Sequence, residues 1–312
     1  MPTARPTPMP TTSSTGSSNA FPSPATGRDV RPVSSSELGN RSRRVPQCRT
    51  ARRPHGKMVA MCYTDEARPP LPPIMGGSTD EGDLVLTAAD GNRFNAYAAR
   101  AATPTGAGVV DIPDPRGVHP FYKDLVRRLA QAGVDAVAVD YLARTAGMSE
   151  RPDDFDYRAH IGQTKPETIA ADVAAGIDYL RSKAGGAVES VFTVGFCFGG
   201  AQSWRQSAAQ PGLTGAIGFY GIPSRVRDVI PQMRAPLLLL LAGNDQATTQ
   251  EDFAQFGREL TQAGVPHQMV VYEGAPHSFF DRSFEQHKDA SADAWRQVLA
   301  FIKEHTRQPA RT

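Results

Sequence analysis

The chain has 312 residues, of which 40% are hydrophobic and 21% charged, with a formal net charge of +2 at pH 7. That length holds one large α/β domain or two small ones, and the absence of any stretch of 18 apolar residues excludes a transmembrane helix. The three cysteines, Cys48, Cys62 and Cys197, are odd in number and lack metal-ligand spacing, which argues against a disulfide framework or a metal cluster.

From Met1 to about Lys57 there is no apolar periodicity, and Pro, Ser, Thr and Arg dominate. Such a segment cannot bury enough surface to offset the entropy of ordering, so residues 1–60 are expected to form a disordered basic tail. Nine Arg and one Lys face only Asp29 and Glu37 there, a net charge of +8 that leaves −6 for the remainder. A basic tail on an acidic domain is one pattern of nucleic-acid or anionic-membrane contact. With no aromatic platform or recognition motif, neither a nucleic acid nor a membrane is expected as a partner. Met58 and Met61 lie directly before the first plausible structured segment, as they would if the tail were an upstream extension. The tail lacks the apolar h-region of a secretory signal, although its Arg- and Ser-rich, acid-poor start imitates a transit peptide. A reducing cytoplasm is the expected location, since it keeps Cys197 a thiol.

Residues 61–82, with Pro69-Pro70, Pro72-Pro73 and Gly76-Gly77, read as an extended leader. Leu84 to Thr87 and Phe94 to Tyr97 flank Asp90-Gly91, a hairpin signal. From Gly108 onward strands and helices alternate. Val109 to Ile112 reads as a strand, Phe121 to Ala132 as an amphipathic helix stopped by Gly133, and Val134 to Asp140 as a strand. A helix over Pro166 to Ala184 has proline near its start, Ile169, Val173, Ile177 and Leu180 on one face, and Gly185-Gly186 beyond it. Ser190 to Val194, Ala216 to Tyr220, Leu237 to Leu241 and Met269 to Tyr272 are further strands. Helices are predicted from Ala201, over Thr249 to Ala263, and over Ala290 to His305. This alternation implies parallel pairing, right-handed crossovers and one doubly wound sheet covered on both faces, over residues 83–306. Residues 307–312 are expected to be a disordered C-terminus. Neither a Walker loop nor a Gly-x-Gly-x-x-Gly fingerprint occurs, so no phosphate, nicotinamide or other cofactor is expected.

The most informative segment is Gly195-Phe196-Cys197-Phe198-Gly199-Gly200, between a strand and a helix. Flanking glycines are what a sharp strand-turn-helix elbow needs, and the elbow would stand the cysteine sulfur at the top of the sheet. Such an elbow is followed in chain order by an acid and then a histidine. Asp245 and His277 both fall just past the carboxyl ends of predicted strands, where open α/β sheets collect their functional loops. Cys197, Asp245 and His277 therefore match nucleophile, acid and base. His119 and His267 flank the starts of elements and are expected to be structural, as is Trp204.

The elbow, the Asp245 loop and His277-Ser278-Phe279-Phe280-Asp281 together resemble the dienelactone hydrolases, over roughly Leu84 to Ile302. The resemblance implies an α/β-hydrolase fold and hydrolysis of a lactone or ester with no metal or organic cofactor. It also implies that Asp114 stands where an acidic residue, usually glutamate, modulates the thiol. By the same resemblance Arg144 and Arg282 are expected to hold a substrate carboxylate, and Phe198 and the residue at Pro115 to supply the oxyanion hole. Pro115 has no N–H to give, which leaves Arg116 as the alternative donor. The partner expected is a small anionic lactone or ester, acted on by a monomer or homodimer. Two alternatives stay open: a general carboxylesterase or thioesterase without carboxylate selectivity, and a non-catalytic protein that binds a small ligand.

Overall fold

A computed structural model describes residues 68–70, 76–152, 155–281 and 283–307. The expectations for the basic tail and for most of the short C-terminus lie outside these residues, as do Cys48 and Cys62. Eight strands build one sheet: β1 (Ser78–Thr87), β2 (Arg93–Ala101), β3 (Ala107–Ile112), β4 (Asp135–Val139), β5 (Ser190–Phe196), β6 (Gly215–Phe219), β7 (Leu237–Asn244) and β8 (His267–Pro276). Their spatial order is β1-β2-β4-β3-β5-β6-β7-β8. β1 and β2 form the antiparallel hairpin around Asp90-Gly91, β2 pairs antiparallel with β4, and all remaining pairs are parallel. β1 begins at Ser78, inside the segment read as a leader.

Every residue of β3, β4, β5 and β6 is buried, as are the first six of β7. That explains why these strands read as unbroken apolar runs: helices cover both faces of the sheet, so neither side chain set faces water. Val110, Val137, Leu239 and Leu241 face one layer, which holds Val173 and Ile177 of α4 (Pro166–Arg181), Trp204 of α5 (Phe198–Ala209) and Phe253 and Phe256 of α6 (Gln250–Gln262). Val109, Phe192, Phe196 and Ile217 face the other, built from Phe121, Tyr122 and Leu125 of α1 (Pro120–Gln131) and Trp295, Val298 and Phe301 of α7 (Lys288–His305).

Several ends follow from local chemistry. Gly133, with φ 87°, stops α1, and Thr249 caps α6 in a reciprocal capping box with Asp252. Trp204 is fully buried and its indole N–H donates to the Leu238 carbonyl at 3.2 Å, in keeping with its expected place in the core. The long connection after β4 contains two short helices, α2 (Ala143–Ala146) and α3 (Tyr157–Ile161), that sequence periodicity does not reveal, because neither is long enough to show an apolar stripe. Two short stretches of 3-10 helix, Pro223–Arg225 and Arg227–Gln232, likewise follow β6. No helix among the described residues is long and apolar enough to cross a membrane.

Candidate active site

The site begins at the junction of β5 and α5. Cys197 occupies it with φ 56° and ψ −116°, a strained conformation for a residue with a side chain. The junction closes because its neighbours are glycines. A Cβ at Gly195 would collide with the backbone of Gly199, and one at Gly199 with the carbonyl oxygens of Ile112 and Pro113. The thiol is half-buried and stands at the N-terminus of α5, where unpaired helix N–H groups favour negative charge.

Asp245 follows β7 directly and His277 follows β8, so adjacent parallel strands deliver both to the same edge of the sheet. His277 Nδ1 lies 2.8 Å from Asp245 Oδ2, and the other carboxylate oxygen accepts the Ala247 N–H at 2.8 Å. The Asp245 side chain is 1% exposed. The imidazole also hydrogen-bonds the Cys197 thiol. With Nδ1 turned to the carboxylate, Nε2 is the nitrogen left for sulfur. Burial works to lower the His277 pKa, but the hydrogen bonds to Asp245 and Cys197 and their negative charges outweigh it and push it up to about 10. Cys197, His277 and Asp245 thus form one connected chain.

Two aromatic residues complete the surroundings. Tyr220, at the end of β6 with φ 38°, packs its ring 4.9 Å from that of His277 and donates its hydroxyl to Asp281 Oδ2 at 2.8 Å. Tyr141, just beyond β4, stacks on Phe198 with centroids 5.8 Å apart. Sequence reasoning passed over both. The only signal was placement, each following the carboxyl end of a strand in the sheet.

The loop after β3 is a tight turn. Asp114 is buried, its N–H donates to the Tyr122 hydroxyl at 3.0 Å, and its Oδ1 accepts the Arg116 N–H at 2.9 Å. Arg116 is buried as well, and its guanidinium meets the His119 ring. Beneath this loop, burial and the neighbouring Asp114 raise Asp111 well above the usual carboxylate range.

Arg144 is placed otherwise than a free clamp would be. Its Nε and Nη2 donate to Asp172 at 2.8 Å each, and Nη1 and Nη2 to Asp90 at 2.7 and 3.1 Å. Four of its five N–H donors are therefore already used inside the protein. The arginine ties the β1–β2 turn to α4. Arg282 lies outside the described residues. A cavity of about 640 Å³ instead opens beside Phe198, lined also by Gln202, Tyr157, Arg158 and Arg225. The Arg225 guanidinium stands 5.0 Å over the Phe198 ring, and the structure records no ion pair for Arg225 or Arg158 among the described residues. Among those residues, no group of three His, Cys, Asp or Glu side chains is placed to hold a metal ion.

Comparison with known proteins identifies the family and the fold. The profile of the "Dienelactone hydrolase family" matches residues 94–306. The "Putative carboxymethylenebutenolidase" of Escherichia coli (strain K12) is 29% identical over 231 residues, 69% of this chain and 84% of that protein. The "Probable 2-oxo-3-(5-oxofuran-2-ylidene)propanoate lactonase" of Bradyrhizobium sp is 26% identical over 248 residues, 74% of this chain and 97% of that protein. Among solved structures, the "Putative Dienelactone Hydrolase" of Klebsiella pneumoniae superposes with a TM-score of 0.63 at 24% identity, over 72% of this chain and all of that one. The elbow within a mostly parallel, doubly covered sheet is the α/β-hydrolase fold.

The charge on Cys197 is one cause of the raised imidazole pKa, so removing it has a defined sign. In Cys197→Ala, ring-proton NMR should give a His277 titration midpoint below that of the parent protein. An unchanged midpoint would contradict the thiol–imidazole pairing.

Proposed function

The chain belongs to the dienelactone hydrolase family, and on that premise we propose that it hydrolyses a small anionic lactone or ester through Cys197, His277 and Asp245. The observation that carries the reading is the strained elbow at Cys197, with its thiol hydrogen-bonded to an imidazole that Asp245 holds at 2.8 Å. A merely structural cysteine has no need of positive φ or of a buried carboxylate behind its histidine partner.

In this mechanism the proton rests on His277 and Cys197 is the thiolate. Sulfur attacks the carbonyl carbon, an S–C bond forms, and the carbonyl π pair moves onto oxygen. The Phe198 N–H, the first of α5, points its dipole at that oxyanion. As the carbonyl reforms, the ring C–O bond breaks and the departing alkoxide takes the His277 proton. The neutral imidazole then takes a proton from water, hydroxide adds to the thioester, and the thiolate leaves, restoring the ion pair. Asp245 keeps Nδ1 protonated and Nε2 facing the sulfur throughout. Asp114 holds the loop beside the thiol in its turn.

Arg225 and Arg158, on the cavity beside Phe198, are the side chains we assign to the substrate's negative group. The propanoate for which the Bradyrhizobium relative is named supports an anionic lactone. Arg144, whose donors are occupied by Asp90 and Asp172, supports the framework instead.

Cys197→Ala should abolish hydrolysis of an activated ester and leave the melting temperature near that of the parent, because a half-buried elbow side chain carries little packing energy. Full activity in that variant would sink the mechanism. Arg225→Ala should lower the ratio of kcat/KM for a carboxylated lactone to that for an uncharged ester by about tenfold, the equivalent of roughly 1.4 kcal/mol for one charge-assisted contact. Arg144→Ala should leave that ratio in place and lower stability by about 3 kcal/mol, since the fully buried Asp172 loses its partner. A ratio that falls with Arg144 and holds with Arg225 would reverse the two assignments.

A further inference from the structure

The proposed reaction builds negative charge on one oxygen, and a fold of this kind offers that oxygen a second donor from the loop after β3. In this chain residues 113–117, the start of that loop, have none to spare. Pro113 and Pro115 lack an N–H. The N–H of Asp114 is spent on the Tyr122 hydroxyl at 3.0 Å, that of Arg116 on Asp114 Oδ1 at 2.9 Å, and that of Gly117 on the Asp114 carbonyl at 3.0 Å. Opening these bonds to serve the substrate would undo the turn that holds Asp114.

Beside this loop the structure holds a neutral hydroxyl donor that is not spent on the turn. Tyr141 is fully buried, and its hydroxyl has no hydrogen-bond partner among the described residues. A buried hydroxyl without a partner costs roughly 1–3 kcal/mol, so its persistence calls for a function. Its ring stacks on Phe198, the residue that bears the first oxyanion donor, at a centroid distance of 5.8 Å. Burial, followed by the charges of Asp114 and Cys197, raises its pKa well above 10, which keeps the proton on oxygen. A group that feels both charges lies near the thiol and the β3 loop.

We infer that the Tyr141 hydroxyl is the second oxyanion donor, in place of a loop amide from residues 113–117; the inference rests on Cys197 being the nucleophile. When sulfur adds to the carbonyl carbon, the electron pair arriving on oxygen accepts hydrogen bonds from the Phe198 N–H and the Tyr141 O–H. No proton is transferred to the oxyanion, and both bonds weaken as the carbonyl reforms. Tyr141 is thereby a catalytic residue whose hydroxyl pairs fully only in the transition state.

Tyr141→Phe removes that oxygen and nothing else. With a p-nitrophenyl ester its kcat/KM should fall about 100-fold, the loss typical of one oxyanion donor, and the Ki of a trifluoromethyl ketone that adds to the thiol should rise by a similar factor. Alkylation of Cys197 by iodoacetamide should keep its rate, and the melting temperature should not fall, since an unpaired buried hydroxyl has been removed. Hydrolysis within about threefold of the parent overturns the inference, because one donor is worth far more. Faster alkylation alongside slower hydrolysis overturns it too, by placing the hydroxyl on the thiolate. Should the variant misfold, the crystal structure of the parent bound to the trifluoromethyl ketone decides: the account places the Tyr141 oxygen about 3 Å from the ketone-derived oxygen, and a separation beyond hydrogen-bond range rejects it. Cys197→Ala separates the two levels. Hydrolysis retained there refutes the proposed function, whereas loss there with none in Tyr141→Phe refutes only the assignment of Tyr141.

Discussion

Positive φ at Cys197 is the constraint on which the rest of the site depends. A strained backbone of this kind costs on the order of 1–3 kcal/mol and survives only where its surroundings leave no alternative. Here β5 is hydrogen-bonded between β3 and β6, and α5 is pressed against the exit of β3 so closely that Gly199 has no room for a side chain. The chain must turn within one residue, and the side chain of that residue is thrown outward over the end of the sheet. Because β7 and β8 run parallel to β5, their carboxyl ends bring Asp245 and His277 to the same edge. Sheet topology supplies the proximity, and the elbow supplies the aim.

Arginine plays two physically different parts around that edge. Arg151 forms a two-pronged pair with Asp140 at 2.8 Å on each prong, with both side chains about 95% buried, and Arg144 joins Asp172 to Asp90. Such pairs repay their desolvation through close, multiple hydrogen bonds, so they hold loops in one arrangement and have little to spare for a ligand. Arg225 and Arg158 are exposed at a cavity, with no recorded carboxylate partner among the described residues. The difference lies in pairing, which is why the proposed anion site is assigned to the second pair.

Much of this arrangement was legible before the structure. Strands buried on both faces are continuous apolar runs, their helices carry proline and glycine at the ends, and Gly195 with Gly199 marks the elbow. The placement of Asp245 and His277 also followed, since a residue just past a strand can be located from the strand alone. Pairing across distance could not be read in the same way. Asp172 lies 28 positions from Arg144 and Asp90 lies 54, and nothing local in the sequence announces either contact. Tyr141 and Tyr220 were missed for a related reason: an aromatic residue beside an apolar strand looks like core until its hydroxyl is seen. The short helices after β4 escaped because four or five residues display no period.

The central claim is that Cys197 carries the acyl group between the two halves of the reaction. Mass spectrometry of protein quenched during turnover of an ester with a slowly hydrolysed acyl group tests it directly. The account predicts one acyl mass added to the peptide containing Cys197, appearing no more slowly than product and disappearing once substrate is consumed. Sustained turnover with no adduct, or an adduct on another residue that forms and decays at the rate of turnover, would contradict it.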